Sequence, residues 1–93
     1  MLTVLIVDDD LMTLECLKKL IPWNEMGYDL VAAVSNGAIA YDIAIELAVD
    51  VVITDVRMPV MDGIELCHRL RANKLNSDII FLSAYDDFRA IQQ

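Results

Sequence analysis

The chain has 93 residues, which is room for one domain. Fifteen acidic side chains against seven basic ones give a formal charge of −8, and 57% of the residues are hydrophobic. That apolar share excludes a disordered acidic tail. The negative excess argues against a nucleic-acid-binding face, and no apolar run approaches the ~18 residues that span a bilayer. Met1-Leu2-Thr3 has no basic stretch before its apolar run, so the N-terminus does not read as a secretion signal, and the chain reads as soluble and cytoplasmic. Cys16 and Cys67 lie far apart with no CxxC spacing. Both fall among apolar residues of helical stretches and read as small core fillers, not as a disulfide or zinc ligands.

Two periodicities alternate along the chain. Val4 to Val7 is a short β-branched run, expected to be a strand buried on both faces. Leu11, Leu14, Leu17 and Ile21 recur at helical spacing, and Pro22 stops that helix. Leu30 to Val34 is a second buried run, and Ser35-Asn36-Gly37 is turn chemistry. Ala38 to Ala48 forms a helix, Val51 to Thr54 a third strand, and Arg57 to Gly63 a loop holding a proline and a glycine. Ile64, Leu66, Cys67 and Leu70 mark a third helix, with Glu65, His68, Arg69 and Arg71 on its other side. Ile79 to Leu82 is a fourth strand, and a fourth helix begins near Asp87. Buried strands alternating with helices mean an α/β fold, a parallel sheet covered on both faces.

The second helix carries only Asp42 and Glu46 as charges, four apart and on one stripe. It is either an alanine-rich helix with exposed methyls or a helix whose Ile39, Ile45 or Tyr41 touches a second chain. His68 reads as solvated, and Arg69, Arg71 and Lys74 read as an ordinary solvated basic face.

The acids are not scattered. The first strand runs into Asp8-Asp9-Asp10 and the third into Asp55. Strands of a parallel sheet point one way, so these acids gather at the carboxyl edge, where open α/β sheets hold their sites. If the third strand lies beside the first, with the second on the other side, the crevice falls between Asp8/Asp9 and Asp55. Crowded carboxylates raise one another's pKa, and a hard cation such as Mg²⁺ removes that cost. Asp10 suits a helix cap instead. Capping explains neither Asp8 and Asp9 nor Asp55. An aspartate beside a cation can act as nucleophile on a phosphoryl group, and the Ser83 hydroxyl, delivered to the same edge by the fourth strand, can hydrogen-bond a phosphoryl oxygen.

The runs Val4-Leu5-Ile6-Val7-Asp8-Asp9-Asp10, Ile53-Thr54-Asp55-Val56-Arg57-Met58-Pro59 with Met61-Asp62-Gly63, and Ile80-Phe81-Leu82-Ser83-Ala84 resemble the receiver domain of two-component response regulators, in order and at the right intervals. The resemblance spans the whole chain. It implies a flavodoxin-like (CheY-like) doubly wound sheet of order 2-1-3-4, with Asp55 as phospho-acceptor. It further implies Mg²⁺ held by Asp8, Asp9, Asp55 and the main-chain carbonyl of Arg57. Ser83 is then the switch hydroxyl, and Pro59 and Gly63 shape the loop after the acceptor. A histidine kinase is the implied phosphodonor, and a homodimer is an allowed assembly. Trp23, Gly27-Tyr28 and Ser83-Ala84-Tyr85-Asp86-Asp87-Phe88 resemble the YesN-like subgroup, whose members usually carry an AraC-type helix-turn-helix domain. DNA contact is therefore expected from a longer parent and not from this chain.

The family's fifth strand, its terminal lysine and its aromatic switch residue have no counterpart here. A β/α unit takes ~30 residues and ten follow Ser83, while Lys18, Lys19 and Lys74 match none of the expected positions. The chain is thus expected to lack the fifth strand and fifth helix. Two other readings stand beside a receiver that is not an enzyme. One is an interaction module independent of phosphorylation. The other is an aspartate-nucleophile phosphohydrolase, which wants a second aspartate two residues past the nucleophile, where this chain has Arg57.

Overall fold

The computed structural model of the chain describes residues 1–82. Ser83, the Tyr85 to Phe88 stretch and the helix expected near Asp87 lie outside the described residues. In chain order the elements are β1 (Leu2–Val7), α1 (Leu11–Leu20), β2 (Tyr28–Val34), α2 (Gly37–Leu47), β3 (Val51–Asp55), α3 (Gly63–Ala72) and β4 (Asp78–Leu82). All strand pairs are parallel and the sheet order is β2-β1-β3-β4. This is the doubly wound sheet expected from the motifs.

The two faces follow from the twofold alternation of strand side chains. Leu5, Val7 and Val52 point to one side, where they pack with Ala40 and Ala44 of α2, Leu66 and Leu70 of α3, and Met58 and Met61. Val4, Ile6 and Val51 point to the other, where they pack with Leu14 of α1, and Leu17, Trp23 and Tyr28 close over them. β1 lies between β2 and β3 and is fully buried from Val4 to Val7.

Helix starts are set by short polar side chains that accept the first free N–H groups. The Asp10 carboxylate accepts from Met12 N–H at 3.0 Å and from the Thr13 hydroxyl at 2.8 Å. Asn36 accepts from Ile39 N–H and Asp62 from Glu65 N–H, each at 2.8 Å. α2 therefore begins at Gly37, one residue earlier than its alanine run suggests, and Ala48 closes it in the left-handed region.

Two expectations are corrected. β2 is not a strand buried on both faces: it starts earlier, at Tyr28, and is half-buried along most of its length, because among the described residues β1 pairs with it on one side only. Cys16 is exposed and Cys67 half-buried, so neither is a buried filler. Cys16 is two positions from Leu14, which turns it away from the sheet at 3.6 residues per turn. Tyr41 of α2 is half-buried. It packs against the core, and its hydroxyl accepts from the Asn73 side-chain amide at 2.5 Å, tying α2 to the end of α3. Ile39 and Ile45 of the same helix are exposed. His68 and Lys74 are exposed, Arg69 pairs with Glu65 at 3.7 Å, and Arg71 donates to the Leu75 carbonyl at 2.8 Å, as a solvated face would.

Leu66 is wholly buried in the cluster under α2 and α3. Leu66→Ala should cost about 2–5 kcal/mol through the lost transfer energy and the cavity it leaves. Urea unfolding should show a large drop in midpoint; a change under ~1 kcal/mol would mean that this cluster does not hold α3 to the sheet.

Candidate functional site

Val7 of β1 pairs with Thr54 of β3. The next residue on each strand is a carboxylate, so the register alone sets Asp8 and Asp55 side by side at the carboxyl edge. β1 connects onward to β2 and β3 onward to β4, on opposite sides, so the crevice between them is the switch point of the sheet. Asp8 is buried, Asp9 exposed and Asp55 half-buried, and one carboxylate oxygen from each lies within 4.8 Å of the others. Asp10 is excluded from this group, because its carboxylate is turned back onto α1 as the cap.

Each carboxylate is held by its surroundings. Asp8 N–H donates to the Val34 carbonyl at 3.1 Å, and the Asp8 carboxylate accepts from Asp10 N–H at 2.8 Å. The main-chain N–H groups of Val56 and Arg57, the first two residues of the β3–α3 loop, favour the ionised form of the Asp55 carboxylate. The wholly buried Thr54 hydroxyl donates to the Asp55 carbonyl at 2.9 Å.

The electrostatics are those of a strained cluster. Burial raises the Asp8 carboxyl above the ordinary range, and the charges of Asp9 and Asp10 push it further, against the opposing Asp10 N–H bond. Burial also raises Asp55, with the Asp8 charge next in weight and the two loop N–H bonds working against it. Asp10 moves the other way, lowered by the Thr13 hydroxyl and the Met12 N–H. Three carboxylate oxygens this close, two of them on groups destabilised as anions, fit a small hard cation, which takes oxygen ligands and cancels like charge.

The loop that follows Asp55 is folded back tightly. Gly63 N–H donates to the Val56 carbonyl at 2.8 Å, and Met58 and Met61 are both buried in the core beneath. A Cβ on Gly63 would collide with the Asp55 carbonyl oxygen, so only glycine lets α3 start this close to β3. Pro59 is exposed at the tip of the same loop, and the Arg57 side chain is exposed beside it. Sequence reading missed Thr54 and the steric need at Gly63. It also missed the staple between Thr3 and Asp50, whose side chains and N–H groups bond reciprocally at 2.8–3.1 Å and tie the start of β1 to the turn before β3. None of these has a periodic signal; each depends on a neighbour distant in sequence.

Residues 4–93 match the response regulator receiver domain family. The chain belongs to that family. It is 34% identical over 88 residues to YesN of Bacillus subtilis, an uncharacterized transcriptional regulatory protein, covering 95% of this chain and 24% of that one. It is equally similar to the transcriptional regulatory protein HptR of Staphylococcus aureus, at 34% identity over 95% of this chain and 34% of the relative. Among solved structures, the receiver domain of the response regulator AraT from Geobacillus stearothermophilus superposes with a TM-score of 0.89 at 35% identity, covering 98% of this chain and 70% of that one. A chain of the CheX–CheY–BeF₃–Mg²⁺ complex from Borrelia burgdorferi superposes with a TM-score of 0.82 at 26% identity, over 98% and 68% of the two chains. This receiver spans a quarter to a third of the length of the curated relatives it matches. No helix among the described residues is long and apolar enough to cross a membrane.

A carboxyl whose pKa is raised on folding lowers stability at pH values above that raised pKa, and the loss disappears as pH falls below the unfolded value. In metal-free buffer at neutral pH, Asp55→Asn should therefore melt a few degrees above the wild type, the scale that ~1 kcal/mol produces in a domain of this size. The gain should shrink as the pH is lowered through the carboxylate range, and excess Mg²⁺ should raise the wild type but not the variant. A variant that melts at or below the wild type without metal would refute the repulsion.

Proposed function

We propose that this receiver accepts a phosphoryl group on Asp55 from a phosphohistidine of a histidine kinase, with Mg²⁺ held by Asp8, Asp9, Asp55 and the main-chain carbonyl of Arg57. The observation that supports this most is the convergence of three carboxylates from two adjacent strands. When bound, Mg²⁺ supplies positive charge against both the carboxylates and the oxygens of the transferring group. The protein's own part is positional. The Val56 and Arg57 N–H groups favour the Asp55 anion, and a carboxylate oxygen attacks phosphorus as the bond to the donor nitrogen breaks and the imidazole leaves. Such a transfer needs alignment and charge neutralisation more than covalent help. Ser83, next in sequence after β4, is the hydroxyl proposed to reach the phosphoryl group, and Pro59 and Gly63 are the residues proposed to shape the acceptor loop.

The names of the relatives support a longer transcriptional regulator as parent, with DNA bound by another domain. A charge of −8 on this chain accords with that division of labour. The receiver is proposed to work in the cytoplasm, where a kinase can reach it, and to act as a phospho-acceptor and not as an enzyme. Arg57, two residues after Asp55, stands where a phosphohydrolase of the aspartate type would need its acid.

Acetyl phosphate with Mg²⁺ should add one phosphoryl group to the chain, seen by intact mass. Asp55→Asn should abolish the addition, and EDTA should suppress it by at least tenfold. Equal labelling of the wild type and Asp55→Asn would remove Asp55 as acceptor; no labelling at all would favour a phosphorylation-independent interaction module, and steady turnover of phosphate esters would favour a hydrolase.

A further inference from the structure

β3 carries a hydroxyl where packing alone calls for a methyl. The strand reads Val51-Val52-Ile53-Thr54-Asp55, and Thr54 is wholly buried. Alternation along the strand puts it on the same face as Val52, in the layer under α2 and α3. A valine would fill that space with no polar atom to satisfy, whereas a buried hydroxyl costs free energy unless it is hydrogen-bonded. The Thr54 hydroxyl donates to the Asp55 main-chain carbonyl at 2.9 Å.

That bond falls on the peptide where the strand ends. Asp55 is the last residue of β3, and the direction of its carbonyl is the torsion that leads the chain out of the sheet. The rotamers open to a side chain depend on that backbone torsion. The α-carbon of Gly63 meets the same carbonyl, so closely that a Cβ there would collide with it and crowd the Thr54 methyl. The next carbonyl, that of Val56, accepts the Gly63 N–H at 2.8 Å. On the other side of Asp55, Thr54 is paired with Val7 of β1 and Phe81 of β4. The Asp55 Cα is thus fixed before by the sheet and after by the Thr54 hydroxyl and Gly63.

We propose that Thr54 is a positioning residue for the carboxylate cluster: its hydroxyl holds the Asp55 main chain so that the Asp55 carboxylate stands within 4.8 Å of Asp8 and Asp9. Thr54 is wholly buried, so it touches neither a cation nor a phosphoryl group and acts through Asp55. The two branches of the side chain divide the work. The methyl fills the core beside Gly63, and the hydroxyl sets the carbonyl. The consequence for cation binding rests on the reading of the cluster given above; the hold on the Asp55 main chain does not.

Two variants of the whole chain separate the branches. Thr54→Val keeps the shape and removes the hydroxyl; Thr54→Ser keeps the hydroxyl and removes the methyl. Stability and Mg²⁺ affinity should then rank them in opposite orders. Thr54→Ser loses a buried methyl and should have the lowest urea midpoint, yet its Mg²⁺ affinity, measured by calorimetry, should stay close to that of the wild type. Thr54→Val should unfold at higher urea than Thr54→Ser, yet bind Mg²⁺ about tenfold more weakly, as when a group that orients a metal ligand is lost. The NMR shift of the Val56 amide nitrogen, which is bonded to the Asp55 carbonyl carbon, should move in Thr54→Val and hold in Thr54→Ser. Wild-type Mg²⁺ affinity in Thr54→Val, or an affinity that falls with the urea midpoint in both variants, would overturn this role. So would a Val56 shift that ignores the hydroxyl. If the shift follows the hydroxyl but no protein, wild type included, binds Mg²⁺, the reading of the cluster as a cation site fails and the hold on Asp55 stands.

Discussion

The site depends on one unfavourable interaction. Val7 and Thr54 are paired across two parallel strands, and the residue that follows each is an aspartate. Backbone hydrogen bonding therefore forces two carboxylates together, and Asp9 adds a third within 4.8 Å. Partial burial deepens the cost by removing the water that would separate like charges. A sheet bears such a cost only because its core is secured elsewhere, by the apolar layers on either face of β1 and by the Thr3–Asp50 staple that fixes the neighbouring strand's start. Stability is given up locally, and the result is a place that fits a small hard cation.

The rest of the edge serves that cluster. Asp10 lies next to it in sequence but is drawn off by the first turn of α1, so its charge sits on a helix N-terminus, where it is favourable. The β3–α3 loop does the opposite: it brings N–H groups to Asp55 and offsets part of the burial cost. Gly63 allows α3 to begin against β3, and Met58 and Met61 clamp the loop down. Val60 is the residue at which the geometry demanded by the clamps and the conformational preference of the sequence disagree. Conflicts of that kind collect at functional edges because the surrounding structure outweighs them.

Much of this was legible in the sequence for a physical reason. Parallel strands buried on both faces need continuous apolar runs, and acids that end such runs must land at one edge, so Asp8, Asp9 and Asp55 announce themselves by position. The start of α1 was nearly as clear, because Asp10 is a cap by chemistry. The misreadings came from lateral position, which a linear pattern does not encode. The apolar run of β2 looks like that of β1, yet strand pairing leaves it only half-buried. Cys16 was assigned by composition, whereas its angular position on the helix decides it. The positive φ at Val60 was invisible, because nothing in Met58-Pro59-Val60-Met61 shows that both methionines are buried.

The central claim is that Asp8 and Asp55 repel each other in the bare protein and are reconciled by a cation. A double-mutant cycle with Asp8→Asn and Asp55→Asn, read by urea unfolding at neutral pH, measures that interaction directly. Without metal, each single variant should gain stability and the double variant should gain less than the sum, because either change alone removes the shared repulsion. With saturating Mg²⁺, the wild type should become the most stable of the four. Additive effects within about 0.3–0.5 kcal/mol in metal-free buffer, together with no response of the wild type to Mg²⁺, would contradict the account.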